Sequence, residues 1–355
     1  MRGAALKPCY FIALAACLAT AHSLGRDWEA LLAAPAQGGV LLLSQSSDDE
    51  DDEEEAGEDE GSQQEEAREY TSRENRTEKG TAQRIYKEGG NLKAEYHFIN
   101  FNKDRVAVTF GMAAPEYNRY LGGYGYSDFE LNGLKTWRET TRQDAWKKVY
   151  AASGKAAAER AIADVDLEYD TRLRALLRSR GLALRAGNIV ECDMPAVVKR
   201  NVELLKPLAL AFSKISSERG WREENLIGGV LSMVQTAIRY KIPPSVEGGL
   251  HTGGLLPPAR SLLSGWGDCD TKTGLLAAIL GNWKGMKMVG IAVPGHYLMA
   301  IRRLPGKGDV FVRYEGLEYV LVEPAGPAWL EPGTVGQATT ALLSGGEGYK
   351  VDPFF

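Results

Sequence analysis

Four short apolar runs follow one another near the C-terminal end of the chain, and the turns between them limit how they can pair. Residues 286–293 read as a strand, Pro294-Gly295 turns the chain, and residues 296–301 return it. Residues 310–314 and 317–322 make the next hairpin. Ahead of them Leu275-Leu-Ala-Ala-Ile-Leu280 reads as a buried helix. One helix followed by hairpin-linked strands is an α+β arrangement with an antiparallel sheet. Nothing repeats internally.

The first fifth of the chain takes no part in that core. Residues 48–60 hold eleven acids in thirteen positions, which outweighs the whole net charge of −5 and leaves the rest mildly basic. A mild balance gives no case for nucleic acid. From Ser44 to about Gln83 the chain is polar and nearly free of aliphatic residues, so residues 22–83 are expected to form an acidic, disordered linker. The acid run is either a solvated spacer or a binder of cations or of a basic partner. Residues 1–21 read as an export signal: Arg2 and Lys7 precede an apolar run from Tyr10 to Ala16 that is too short to span a bilayer. Two processing sites compete. Ala19-Thr-Ala21 suits signal peptidase, whereas Leu14-Ala-Ala-Cys17 matches all four positions of a bacterial lipobox and would tether the chain to a membrane through a lipidated Cys17. Either way the protein is expected outside the cytoplasm, in the periplasm or at the cell surface.

Order is expected from about Arg84, with an accessory region over 84–190. Residues 94–101 and 105–110 make a β-hairpin around a turn at 102–104, with His97 a strand residue. The Gly/Tyr-rich piece 117–126 reads as loop. Ile162, Val165, Tyr169, Leu173, Leu176 and Leu177 recur at helical spacing. Arg172, Arg174, Arg178 and Arg180 fall on the other face, and Gly181 suits the end. Lys206-Pro207 opens a second helix that runs through Ile215. Residues 223–240 form a third, with Ile227, Val230, Leu231, Val234 and Ile238 as its buried stripe. Gln235 lies at the edge of that stripe, and its amide needs a partner. It is either an active-site donor or a side chain tied to nearby backbone. Residues 243–264, with His251, read as a long loop.

That loop leads into Gly265-Trp-Gly-Asp-Cys-Asp-Thr-Lys-Thr-Gly274. Glycines loosen the backbone just before Cys269, which then opens the buried helix. Unpaired N–H groups and the macrodipole at a helix N-terminus favour a thiolate. His296 opens one strand, and Glu323 closes another. A thiol nucleophile needs a base, and an imidazole base needs a carboxylate on its far nitrogen to fix its tautomer. Both intervals, 269 to 296 and 296 to 323, are 27 residues, as successive elements of one sheet would give. The Cys269 N–H with one side-chain donor, for which Gln235 is the candidate, would form an oxyanion hole. Asp309 is a poorer third member because it lies in a turn. His251 competes as base but precedes the cysteine in the loop. Asp268 and Asp270 read as turn and cap residues that oppose a thiolate, and Trp266 either walls a groove or packs the loop. With Cys9 and Cys17 in the leader, Cys192 and Cys269 remain; an exported protein can pair two such cysteines, but the setting of Cys269 argues for a free thiol.

Tyr240, a Pro/Gly-rich loop, Gly267-Asp-Cys-Asp before an apolar helix, Gly295-His296 on a strand and Val322-Glu-Pro324 together resemble the transglutaminase-like superfamily. The resemblance covers about residues 195–330. It implies a papain-like core over 191–340, followed by a tail over 341–355. Carried over by position, Cys269 resembles the nucleophile, His296 the base and Glu323 the orienting acid. The family more often has Asp at the third place. Lys272 stands where related sequences often carry a charged residue, and it is given no role. The implied activity is a peptidase or amidase, or a transglutaminase, acting on a peptide or protein substrate without metal or other cofactor. The competing expectation is an inactive binding or scaffold protein that docks to an envelope partner.

Overall fold

Inward and outward residues alternate strictly over 91–99 and 105–113 of the first sheet, which is larger than the expected hairpin. The computed structural model describes residues 73–78, 81–326, 328–344 and 348–355, all within the unit that spans Val40–Phe355. The leader, the lipobox and the acidic run lie outside the described residues. Strands β1 (Arg73–Glu78), β2 (Thr81–Glu88), β3 (Asn91–Ile99) and β4 (Arg105–Ala113) form an antiparallel sheet in that order. The sheet therefore begins inside the stretch expected to be linker. Few apolar residues suffice there, because β2 pairs along its whole length with β3, from Ala82↔His97 to Glu88↔Asn91. Tyr96, Phe98, Val108 and Phe110 point inward from β3 and β4, while His97 is an exposed strand residue, as expected.

Helix α1 (Ala114–Leu121) replaces the first part of the loop expected at 117–126, with a proline in its first turn and Glu116 and Arg119 placed to suit the helix dipole. Helices α2 (Asp128–Ser153) and α3 (Lys155–Ser179) then run as a long hairpin. The arginines of α3 are used within the protein: Arg172 bonds Glu168 and lies over Trp137, and Arg174 bonds Asp170. Three further helices follow, α4 (Met194–Asn201), α5 (Lys206–Arg219) and α6 (Glu223–Ser232). The third expected helix ends early. Met233–Ala237 winds as a π-helix, and Tyr240 lies in the short strand β5 (Arg239–Tyr240). The expected loop at 243–264 contains helix α7 (Pro258–Ser264), opened by prolines and closed by Gly265.

Strand β6 (Trp266–Gly267) pairs in parallel with β5 and leads into α8 (Cys269–Leu280). The second sheet has β7 (Met288–Val293), β8 (His296–Arg302), β9 (Phe311–Tyr314) and β10 (Leu317–Val322), followed by α9 (Gln337–Ser344) and β11 (Lys350–Pro353). Its strand order is β9-β10-β8-β7-β11, and every pairing in it is antiparallel. The expected tail thus supplies an edge strand, with Val289↔Pro353 through Ala292↔Lys350 in register.

Helix α8 is apolar all round from Leu275 to Leu280 and, apart from Asp270, is buried along its length. Leu275, Leu276, Ile279 and Leu280 are fully covered, and each contributes about 1.5–3 kcal/mol by burial. They share one core with Tyr96 and Phe98 of the first sheet, Phe212 of α5, Leu231 of α6, and Tyr297 and Met299 of β8. The expected boundary at 190/191 therefore does not separate two cores. The opposite face of the second sheet packs Val289, Ile291, Leu298 and Leu321 beneath α9. The chain is a mixed α+β protein with antiparallel sheets, and α8 sits between them. No helix among the described residues is long and apolar enough to cross a membrane.

Candidate active site

The glycines before Cys269 are required by close approach. Gly265 has φ +74°, and a side chain there would collide with Gln83, whose amide donates to the Gly265 carbonyl at 3.1 Å. A Cβ on Gly267 would meet Thr271. Asp268 caps α8, accepting from the Thr271 N–H at 3.0 Å. Cys269 is thus the first residue of the helix, 5 % exposed, and its amide is among those that have no acceptor within a helix.

The register of the second sheet makes room for it. Strand β10 pairs with β8 only from Met299↔Val322 onward. The first residues of β8 have no strand partner on that side, and the N-terminus of α8 takes the place. Thr273 Oγ1 donates to the Tyr297 carbonyl at 3.1 Å, and the Cys269 thiol lies against the Tyr297 amide. His296 is the preceding residue. Its Nε2 lies 2.8 Å from Glu323 Oε2, so Nδ1 is the ring nitrogen outside that contact. Glu323 is itself fixed: Thr339 of α9 donates to Oε2 and the Ala325 N–H to Oε1, both at 3.1 Å. The longer acid is accommodated by this second set of bonds. Burial alone would lower the His296 imidazole, but the bond to Glu323 and the charges of Glu323 and Asp270 outweigh it and raise it above 6.5.

The thiol itself differs from expectation. Burial, then the carboxylates of Asp270 and Asp268, push Cys269 well up, against the Tyr297 amide, which lowers it. The thiol donates to Asp270 Oδ1 at 3.4 Å, and burial and Asp268 hold Asp270 itself at about 7. A helix dipole at its N-terminus is worth about 0.3–1 kcal/mol, too little to offset burial beside two acids. The resting group is a protonated thiol.

Gln235 is corrected. Its Nε2 donates to the carbonyls of Glu323 (2.6 Å) and Leu330 (3.0 Å), and its Oε1 accepts from the Leu330 N–H. Both amide protons are used, so Gln235 clamps the segment after β10 and has none for an oxyanion. Tyr240, to which the sequence motif assigns no role, joins the site. The hydroxyl of Tyr240, a residue 44 % exposed, lies against the Cys269 thiol. Burial, then the neighbouring Cys269, Asp268 and Asp270, push this phenol up to about 12, so it is a donor at neutral pH. Only the pairing of Tyr240 with Gly267 brings it there.

The remaining candidates lie elsewhere. His251 Nε2 meets Asp128 at 2.9 Å, and its ring stacks on Tyr126. Asp309 accepts from Arg303 and from the Gly306 N–H, both at 3.0 Å, and so holds its own turn. Trp266 carries Lys241 over its ring at 4.8 Å. Cys192 and Cys269 are both free thiols. Lys272, one turn beyond Cys269, is fully buried. Among the described residues no group of three or more His, Cys, Asp or Glu is placed to hold a metal ion. Clefts of about 370 and 430 Å³ line the 303–309 turn and the β9 edge, and neither is lined by Cys269, His296 or Glu323. No family model, no curated protein and no solved structure matches the chain.

Proposed function

We propose that this chain is a thiol acyl-transfer enzyme of the cell envelope, built on a papain-like transglutaminase core, with Cys269 as nucleophile, His296 as base and Glu323 as the orienting acid. The observation that supports this reading is the 2.8 Å His296–Glu323 contact, next to the Tyr297 amide on which the Cys269 thiol lies. Because the thiol rests protonated, its proton passes to His296 Nδ1 as the sulfur attacks an amide carbonyl carbon. The oxyanion is received by the Cys269 N–H and the Tyr240 hydroxyl. His296 then returns the proton to the leaving amine, and a thioester remains on Cys269. Water completes hydrolysis; a primary amine completes cross-linking. Export rests on the leader alone.

Incubation with an envelope peptide library, with and without a primary amine donor, tests the reading by mass spectrometry. Cleaved or deamidated peptides identify a peptidase or amidase, and amine-adducted ones a transglutaminase. Unchanged peptides in both arms favour the second reading, a catalytically silent scaffold, for which the raised Cys269 thiol is the supporting observation.

Two results follow from the site. Removing one oxyanion donor costs about 10²–10³ in kcat, so Tyr240→Phe is expected to fall by that factor with KM little changed in steady-state assays. His296 must be neutral to accept the thiol proton, and its raised imidazole holds a proton longer than an ordinary histidine. Activity is therefore expected to rise with pH through a limb above 6.5, which a kcat/KM profile between about pH 5 and 9 would read.

A further inference from the structure

Strand pairing does not by itself set Glu323 against His296. The ladder between β8 and β10 runs from Arg302↔Tyr319 to Met299↔Val322 and stops there. Glu323 is the first residue past that end, and His296 precedes Met299 by three residues on the other strand. Their 2.8 Å contact is therefore made outside the ladder, and something else must hold the acid in place. Gln235, 88 residues away in sequence and 1 % exposed, does so. Its Nε2 donates to the Glu323 carbonyl at 2.6 Å and to the Leu330 carbonyl at 3.0 Å. Its Oε1 accepts from the Leu330 N–H at 3.1 Å.

The main chain of Gln235 makes a second contact. A Cβ on Gly326 would stand 2.2 Å from the Gln235 carbonyl oxygen, so the two backbones lie too close for any side chain between them. Gly326 follows Ala325, whose N–H donates to Glu323 Oε1 at 3.1 Å. Gln235 thus bears on Glu323 twice. Its side chain holds the main-chain carbonyl, and its own carbonyl lies against the residue next to the one that holds the carboxylate. Both groups belong to the π turn Met233–Ala237, and turns of this kind recur at functional sites. A carboxylate–imidazole bond weakens steeply away from its distance and angle, and a supporting shell that leaves it about 1 Å loose spoils it. We propose that Gln235 is a positioning residue for the His296–Glu323 pair: the π turn brings its amide to the end of β10, where it fixes Glu323 so that the carboxylate meets His296 Nε2.

This role rests on the reading of His296 and Glu323 as a working pair, but it is measured in the resting protein, without turnover. Nε2 of His296 faces a carboxylate, so it carries the proton, and ¹H–¹⁵N NMR of the histidine-labelled whole protein observes that proton directly. The chain has four histidines, and His296→Ala assigns the signal. Gln235→Met keeps the length of the side chain and removes all three of its bonds. Exchange of the Nε2 proton with water is expected to quicken about tenfold in this variant, roughly the weight of one hydrogen bond. The imidazole midpoint is expected to move down, because burial lowers it and the Glu323 bond is what opposes burial. A space-filling role would lower the unfolding temperature and leave both signals in place, and that result would overturn the proposal. Should Gln235→Met fail to fold, Gly326→Ala decides. It retains the Gln235 amide and forces the Gln235 carbonyl away, so the proton is again expected to exchange faster, and an unmoved proton would overturn the proposal. If the proton responds as stated while no peptide is turned over by the wild type, the enzymatic reading fails and the role of Gln235 stands.

Discussion

Replacing Cys269 by alanine is expected to abolish turnover, by about four orders of magnitude or more, in a protein that stays folded. The sulfur is the atom that would form the thioester, and no neighbouring side chain can take its place: Asp270 accepts its hydrogen bond and the Tyr240 hydroxyl lies against it. The structural loss is small by comparison. One sulfur atom at the start of α8 is exchanged for a small void and one lost S–H donor, which costs on the order of 1 kcal/mol. Circular dichroism and a melting curve should therefore nearly superimpose on the wild type, while product formation in the peptide assay disappears. Cys192→Ala is the control, because Cys192 Sγ lies near the Gly181 carbonyl and Met194 Sδ, and burial holds its thiol far up. It should leave turnover near the wild-type rate.

His296→Ala and Glu323→Gln should each lower kcat by about 10³–10⁴. The two act at different points. Alanine at 296 removes the proposed proton acceptor. Glutamine at 323 keeps the shape but removes the charge that, in the proposed mechanism, would stabilise the imidazolium. Because neither change touches binding of the ground-state amide, kcat and kcat/KM are expected to fall together in steady-state kinetics. The residues work as a unit, so the double variant should be no slower than His296→Ala. Additive losses would mean that Glu323 serves something other than His296.

Much of this arrangement could be read from the chain because it is local. Cys269 sits where a glycine-rich turn meets an apolar helix, His296 follows a Pro-Gly turn, and Glu323 closes an apolar run. Each of those boundaries is written in neighbouring residues. What could not be read depends on distant pairing. Tyr240 reaches the thiol because Gly267 lies beside it in a two-residue parallel ladder, and no periodicity signals that. The strand at 350–353 exists because β7 offers an edge some sixty residues earlier. Gln235 shows the reverse case: an amide at the edge of a helical stripe announces that it needs partners, but not that two carbonyls near 323 and 330 will take both its protons. The thiol is the sharpest difference. The dipole of α8 is visible in the sequence, whereas the burial that overrides it comes from the tertiary structure. Helix α1 was legible in principle, since Ala114-Pro115-Glu116 is a start signal, but the glycines at 122, 123 and 125 draw attention away from it.

Acylation of the Cys269 sulfur with His296 as its base is the central step of the proposed reaction. Reaction with an activated peptide ester, quenched in acid and read by intact mass and peptide mapping, measures that directly. One acyl group on Cys269, removed by hydroxylamine and absent in His296→Ala, is the predicted result. An acyl group carried by another residue, or equal acylation of Cys269 without His296, would contradict it.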